Sequence, residues 1–128
     1  MPEIGRYKKI PRPESIDYFI KLTRNHNAVS NVEKIADYVF RIKRNNKPSI
    51  NVFLTNIYIV GEADVHEIIS SNSQISCIVT VSNWNSYTED AKRLCKDLGI
   101  GLFVVSEYYG ALHYAGRKFI DYKPPKRN

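Results

Sequence analysis

Apolar residues recur along this chain with helical spacing in its first third, and the pattern changes near residue 50 to short runs typical of buried strands. From Pro13, the residues Ile16, Phe19, Ile20 and Leu22 or Thr23 keep to one face, which predicts a first helix. Proline suits its opening turn, where the missing N–H has no intrahelical partner to lose. Asn25 to Asn27 ends it. Ser30 and Glu33 then have the spacing of a capping box, and Val32, Ile35, Ala36 and Val39 follow at helical intervals, with Phe40 and Ile42 alongside. A second helix is therefore expected. Arg41, Lys43 and Arg44 would occupy its last turn, at the negative end of its dipole, and Asn45, Asn46 and Pro48 would stop it.

Beyond residue 50 the pattern predicts alternation of strand and helix. Ile50 to Val60 is rich in β-branched and aromatic residues and is expected to form one long strand, because Thr55-Asn56 lacks the glycine favoured in a tight hairpin. After Gly61, Asp64 and Glu67 have capping-box spacing ahead of a short helix carrying Val65, Ile68 and Ile69. Ile75 to Val81 is a continuous apolar run, as in a strand buried on both faces. A polar loop leads to Ser86 and Glu89, a further capping box, and to a helix with Tyr87, Ala91, Leu94, Cys95 and Leu98 on its apolar stripe, ended by Gly99. Ile100 to Val105 reads as another buried strand, and Ser106 as the cap of a last short helix with Tyr109, Ala111 and Leu112.

The expected fold is α/β: a small, mainly parallel sheet flanked by helices, with a β-α-β-α-β-α core from residue 50 and two N-terminal helices. Residues 1–12 read as a basic extended arm, 13–115 as a single domain, and 116–128 as a basic tail.

Charge adds a direction to this scheme. The net charge of +6 is unevenly placed: residues 1–50 balance at +6, residues 51–115 at −4 and residues 116–128 at +4. Segregated charge builds a field that draws polyanions, and nucleic acid is the partner it suggests. Arg6, Lys8, Lys9, Arg41, Lys43, Arg44, Lys47, Arg117, Lys118, Lys126 and Arg127 are the candidate phosphate contacts. The same charges also suit an ordinary solvated surface. No apolar run approaches the roughly 20 residues that span a bilayer, so no membrane role is expected. Cys77 and Cys95 fall in a predicted buried strand and helix, which suits reduced thiols in a cytoplasmic protein.

Two segments carry candidate chemistry. Glu62, Asp64 and His66 follow the predicted 50–60 strand, at the edge where parallel α/β sheets hold ligands, and paired carboxylates suit Mg²⁺. The competing assignment gives Asp64 to a helix cap and leaves Glu62 solvated. Ser82, Asn83, Asn85 and Ser86 precede a helix N-terminus and form a candidate anion site, with Trp84 placed to stack on a base or to fold onto the sheet edge.

Residues 75–112 carry a resemblance. An apolar strand runs into a Thr/Ser-Asn loop at Val79 to Asn83, an amphipathic helix covers Glu89 to Leu98, Gly99 to Leu102 reads Gly-Ile-Gly-Leu, and a short helix covers Glu107 to Leu112. This resembles the closing half of Mrr-type domains of the restriction-endonuclease-like, PD-(D/E)xK, superfamily, over about a third of the chain. The resemblance implies DNA binding and metal-dependent phosphodiester cleavage, by an Asp on one strand and Glu-x-Lys on the next. Only Glu62 matches by order, with Asp64 at the lysine position, and Asp37 falls in a predicted helix. The resemblance therefore implies a degenerate relative that binds and needs no cofactor. The alternatives are a Mg²⁺-dependent nuclease using Glu62 and Asp64, or a protein-interaction domain, pairing as a homodimer or with another protein, with an anion held at Ser82–Ser86.

Overall fold

The computed structural model describes residues 5–125. A 3₁₀ turn at Gly5–Tyr7 leads to helix α1, Pro13–Arg24, which opens on proline and is closed by Asn25. Three strands follow: β1 Val29–Ala36, β2 Val39–Arg44 and β3 Lys47–Thr55. After a two-residue strand β4, Ile59–Val60, the chain alternates through α2 Glu62–Ser71, β5 Cys77–Thr80, β6 Ser86–Tyr87, α3 Glu89–Asp97 and β7 Gly101–Val104. Helices α4 Val105–Ala111 and α5 Arg117–Ile120 complete it.

The main sheet has the order β1-β2-β3-β5-β7. β1–β2 and β2–β3 pair antiparallel; β3–β5 and β5–β7 pair parallel, the latter over shorter ladders. The fold is α/β, but the sheet is mixed and not mainly parallel, because the expected second N-terminal helix is a β-hairpin. Val32, Ile35, Ala36 and Val39 do have helical spacing, yet Ile35 and Ala36 are exposed where a packed helix would bury them. From Val39, a different period rules. Phe40 and Ile42 enter the core beside Arg44, while Arg41 and Lys43 point to the other face. Asp37-Tyr38 turns β1 into β2, and Asn45-Asn46 turns β2 into β3, with Asn46 in the left-handed region at φ 60°. Ser30 caps nothing: its hydroxyl donates to the Lys43 carbonyl across the ladder at 3.2 Å.

The expected 50–60 strand is also interrupted. β3 stops at Thr55, and Asn56 turns toward the N-terminal segment, its N–H donating to the Lys9 carbonyl at 2.7 Å and its carboxamide nitrogen to the Tyr7 carbonyl at 2.8 Å. Residues 7–9 are thus pinned to the end of β3 where an extended arm was expected. β4 then pairs in parallel with β6, apart from the main sheet.

Burial on both sheet faces gives three layers. Cys77, Val79 and Phe103 pack with Phe19 of α1, Tyr108 and Leu112 of the α4 region, and Phe119 of α5. Ile78 and Leu102, pointing the other way, pack with Val65 and Ile68 of α2 and with Ala91 and Cys95 of α3. The two parallel crossovers, through α2 and α3, therefore cover one face, and α1, α4 and α5 cover the other. Truncating a fully buried ring such as Phe40 is expected to cost about 3–5 kcal/mol. Among the described residues no helix is long and apolar enough to cross a membrane.

Candidate nucleic-acid interface

Helix α3 reads EDAKRLCKD. Its turn buries Ala91 and Cys95 against the sheet and leaves Arg93 exposed and Lys96 half-buried. Thr88, and not Ser86, caps it by accepting the Ala91 N–H at 3.0 Å, a bond worth about 1 kcal/mol. Glu89 and Asp90 occupy the positive end, and Lys96 the negative end.

The chain returns to this helix at α5. Phe119 anchors α5 in the core at 3% exposure, so its polar side is held against α3. Arg117 Nη1 donates to the Lys96 carbonyl at 3.0 Å and Nη2 to Asp121 at 3.0 Å, while Lys96 Nζ stands 4.0 Å from the same carboxylate.

Two clefts flank this contact. One, of about 370 Å³, is lined by Tyr87, Glu89, Lys92, Arg93, Lys96 and Lys123. The other, of about 470 Å³, is lined by Tyr114, Arg117, Lys118, Asp121, Tyr122, Lys123 and Pro125. Lys123 lines both, so they form one cationic strip. Tyr114 and Tyr122 stand at one end with ring centroids 5.5 Å apart and planes at 31°. Gly110 permits that placement: a Cβ there would lie 2.2 Å from the Tyr122 hydroxyl.

Beneath the strip, Lys92 is 7% exposed. Its ammonium donates to the Leu102 carbonyl and lies 4.5 Å from the Phe103 ring centroid and 5.3 Å from that of Tyr87. Burial pushes its pKa below the usual lysine value, an effect opposed by the negative charge of Glu107. Glu107 also accepts the Tyr87 hydroxyl at 2.8 Å and the Val104 N–H at 3.1 Å. Lys92 thus adds to the field of the strip without offering its charge for contact.

The residues expected from sequence are dispersed. Arg117 and Lys118 lie in the strip, whereas Lys126, Arg127 and the side chain of Arg6 lie outside what is described. Lys8 and Lys9 are exposed, with Lys9 Nζ 3.5 Å from Glu67. Arg41, Lys43 and Lys47 belong to the hairpin. Arg41 is 4.0 Å from Glu33 and donates to Asn51 at 3.4 Å. Arg44 is no surface contact: it is 7% exposed, and its guanidinium donates to the carbonyls of Pro48, Leu112 and Tyr114.

Glu62 and Asp64 follow strand β4 directly. Both lie in the first turn of α2, where Asp64 accepts the Gly61 N–H at 2.9 Å and Glu62 is exposed. Among the described residues no group of three or more His, Cys, Asp or Glu is placed to hold a metal ion.

The expected anion loop is tied to Thr80 and to the 56–58 segment. Ser82 donates to Asn56 Oδ1 at 2.6 Å, Asn85 Nδ2 donates to Asn56 Oδ1 at 3.0 Å and to Thr80 at 2.9 Å, and the Ser86 N–H goes to the Tyr58 carbonyl at 2.8 Å. Asn83 and Trp84 are exposed in the same loop.

Sequence reasoning passed over Arg93, Lys96, Lys123 and Tyr122, and took Tyr114, with Tyr108 and Tyr109, only as a cluster suited to core packing or a partner interface. A signal for part of this set was present, since the three Lys/Arg of residues 51–115 all fall within five residues of α3, hidden by the segment's balance of −4. No family model matches the chain, and no curated protein or solved structure is significantly similar to it.

Proposed function

We propose that this protein is a nucleic-acid-associated module that holds a strand along the α3–α5 strip and does not cleave it. The Tyr114–Tyr122 pair beside Arg117, Lys118 and Lys123 carries the reading. Cations meet phosphates, and the exposed Tyr114 ring, backed by the half-buried Tyr122, offers a face on which a base can stack without regard to sequence, a stacked base contributing about 1–3 kcal/mol. Single strands suit such a platform, because their bases are free to stack. The free buried thiols Cys77 and Cys95 are consistent with a reducing compartment such as the cytoplasm.

A degenerate kinship with Mrr-type restriction-endonuclease-like proteins is part of the proposal. That chemistry needs an Asp on one strand and Glu-x-Lys on the next. The consecutive strands β2 and β3 read VFRIKR and KPSINVFLT, with no carboxylate on either. Strands without carboxylates have nothing to hold a catalytic metal, which supports binding over cleavage.

The test is fluorescence anisotropy with labelled single-stranded DNA, single-stranded RNA and duplex DNA over a salt series. Binding is expected to be tightest for single strands and to weaken linearly in log–log form with salt. The charge reversals Lys118→Glu and Lys123→Glu, both at exposed positions, are expected to weaken it by about tenfold or more together. Absence of binding to all three at about 50 mM salt would reject the proposal.

A further inference from the structure

Where the two clefts of the strip meet, a carboxylate of the protein's own stands among the cations. The acidic residues of the two linings are Glu89 and Asp121. Glu89 opens α3, about two turns before Lys96, and so lies away from the junction. Asp121 lies at it. Its Oδ1 accepts from Arg117 Nη2 at 3.0 Å and stands 4.0 Å from Lys96 Nζ, so one oxygen is shared by a cation from each helix.

Neither cation owes its place to that oxygen. Arg117 is tied by Nη1 to the Lys96 carbonyl at 3.0 Å, and Phe119, buried two residues on, anchors its helix. Lys96 is carried by α3. Asp121 itself is held through its backbone, whose N–H donates to the Arg117 carbonyl at 2.8 Å as α5 ends. Arg117 and Asp121 are both exposed, where an ion pair adds little to stability. The carboxylate is therefore dispensable to the fold, yet it engages two cations of the strip. A guanidinium and an ammonium converging on one anionic oxygen are also what a phosphodiester oxygen would meet.

We infer that Asp121 is a built-in competitor of the strip: its carboxylate occupies the place of a phosphodiester oxygen, and a strand crosses the junction by displacing it from Arg117 and Lys96. This rests on the strand-binding reading of the strip and adds its regulation. The carboxylate lowers affinity twice over, by engaging the two cations and by repelling an incoming phosphate.

The experiment is fluorescence anisotropy with labelled single strands of DNA and RNA at about 50 mM salt, on the whole chain. Wild type is compared with Asp121→Asn, Asp97→Asn, Arg117→Gln and the double variant Arg117→Gln/Asp121→Asn. Asparagine keeps the size of aspartate and removes its charge. Asp97 is the control, because it is exposed, adjoins Lys96 in the chain and lines neither cleft. Asp121→Asn is expected to tighten binding about three- to tenfold, and Asp97→Asn less than about twofold. Urea midpoints of both are expected to match wild type. The gain from Asp121→Asn is expected to shrink as salt is raised, and to be smaller in the Arg117→Gln background, where one of the cations to be freed is gone.

Weaker binding by Asp121→Asn would show that the carboxylate organises the strip, and overturns the inference. A gain no larger than that of Asp97→Asn, or one undiminished in Arg117→Gln, overturns it as well, by reducing the effect to net charge. In each of these cases wild type still binds, so the strand-binding reading survives. Absence of binding in every protein removes that reading and the inference together.

Discussion

The imidazole of His26 joins α1 to α4 by donating from Nε2 to the Tyr109 carbonyl at 2.8 Å. Its Nδ1 accepts the Ala28 N–H at 2.9 Å, so the folded chain needs the neutral ring protonated on Nε2 alone. Burial lowers its pKa from the ordinary value; the Tyr109 bond opposes this, and His113, with its ring centroid 4.5 Å away, adds to it. The unfolded chain therefore takes up this proton at a higher pH than the folded one. Stability is full above about pH 6.5 and falls as the pH drops below it. Urea midpoints measured from pH 7.5 to pH 5 are expected to decline, and His26→Ala, less stable at pH 7.5, is expected to lose most of that slope. An unchanged slope in the variant would assign the effect elsewhere.

Arg44 is a structural cation. It ties the end of β2 to the carbonyls of Leu112 and Tyr114 beyond α4, with its guanidinium 5.5 Å from the Phe119 ring centroid. Arg44→Ala leaves those carbonyls unpaired and is expected to cost about 2–4 kcal/mol in equilibrium unfolding. Arg44→Lys is expected to recover little, since one ammonium cannot reproduce the guanidinium fork. Lys43→Ala, next along the strand and exposed, is expected to change stability by less than about 0.5 kcal/mol.

Gly110 and Tyr122 form a testable pair. A methyl group at residue 110 would overlap the Tyr122 ring as well as its hydroxyl, so Gly110→Ala displaces residues 117–125 from α4. The expected loss is about 1–3 kcal/mol. In a Tyr122→Ala background the same substitution is expected to be near neutral, because the obstructing ring is gone. A double-mutant cycle by thermal or urea unfolding reads the difference.

The thiols are expected to be inert in the folded chain. Both are buried, and burial pushes Cys95 up to about 12 and Cys77 higher still. Labelling by iodoacetamide at about pH 8 is expected only in denaturant. Rapid alkylation of the native protein would show that the α3 face opens.

The crossover half of the fold was readable because its signals are local. Ile75–Val81 announces a strand by composition, and Gly99, at φ 77°, ends α3 in the conformation glycine permits. The hairpin was not readable in the same way. Ser30 and Glu33 mimic a cap, and only the unpaired side of β3, set by distant residues, makes β1 and β2 the better solution. The strip was half legible. Arg117 and Lys118 announce themselves by charge, whereas Tyr114 and Tyr122 meet only because Phe119 draws the chain back onto α4. Arg44 misleads for the opposite reason, since charge alone does not reveal burial.

β1 closes one side of the main sheet, and its outer backbone has no partner strand among the described residues. Its pairing with β2 is interrupted twice, between Val29 and Asn31 and between Lys34 and Ala36, and Glu33 and Lys34 stand exposed between the two irregularities. Bulges bend an edge away from flat pairing, and charges on it penalise burial by a neighbouring chain. The strand that sequence periodicity disguised as a helix is therefore also the sheet's guard against growth: it completes the pairing of β3 inward and offers other copies a poor template outward.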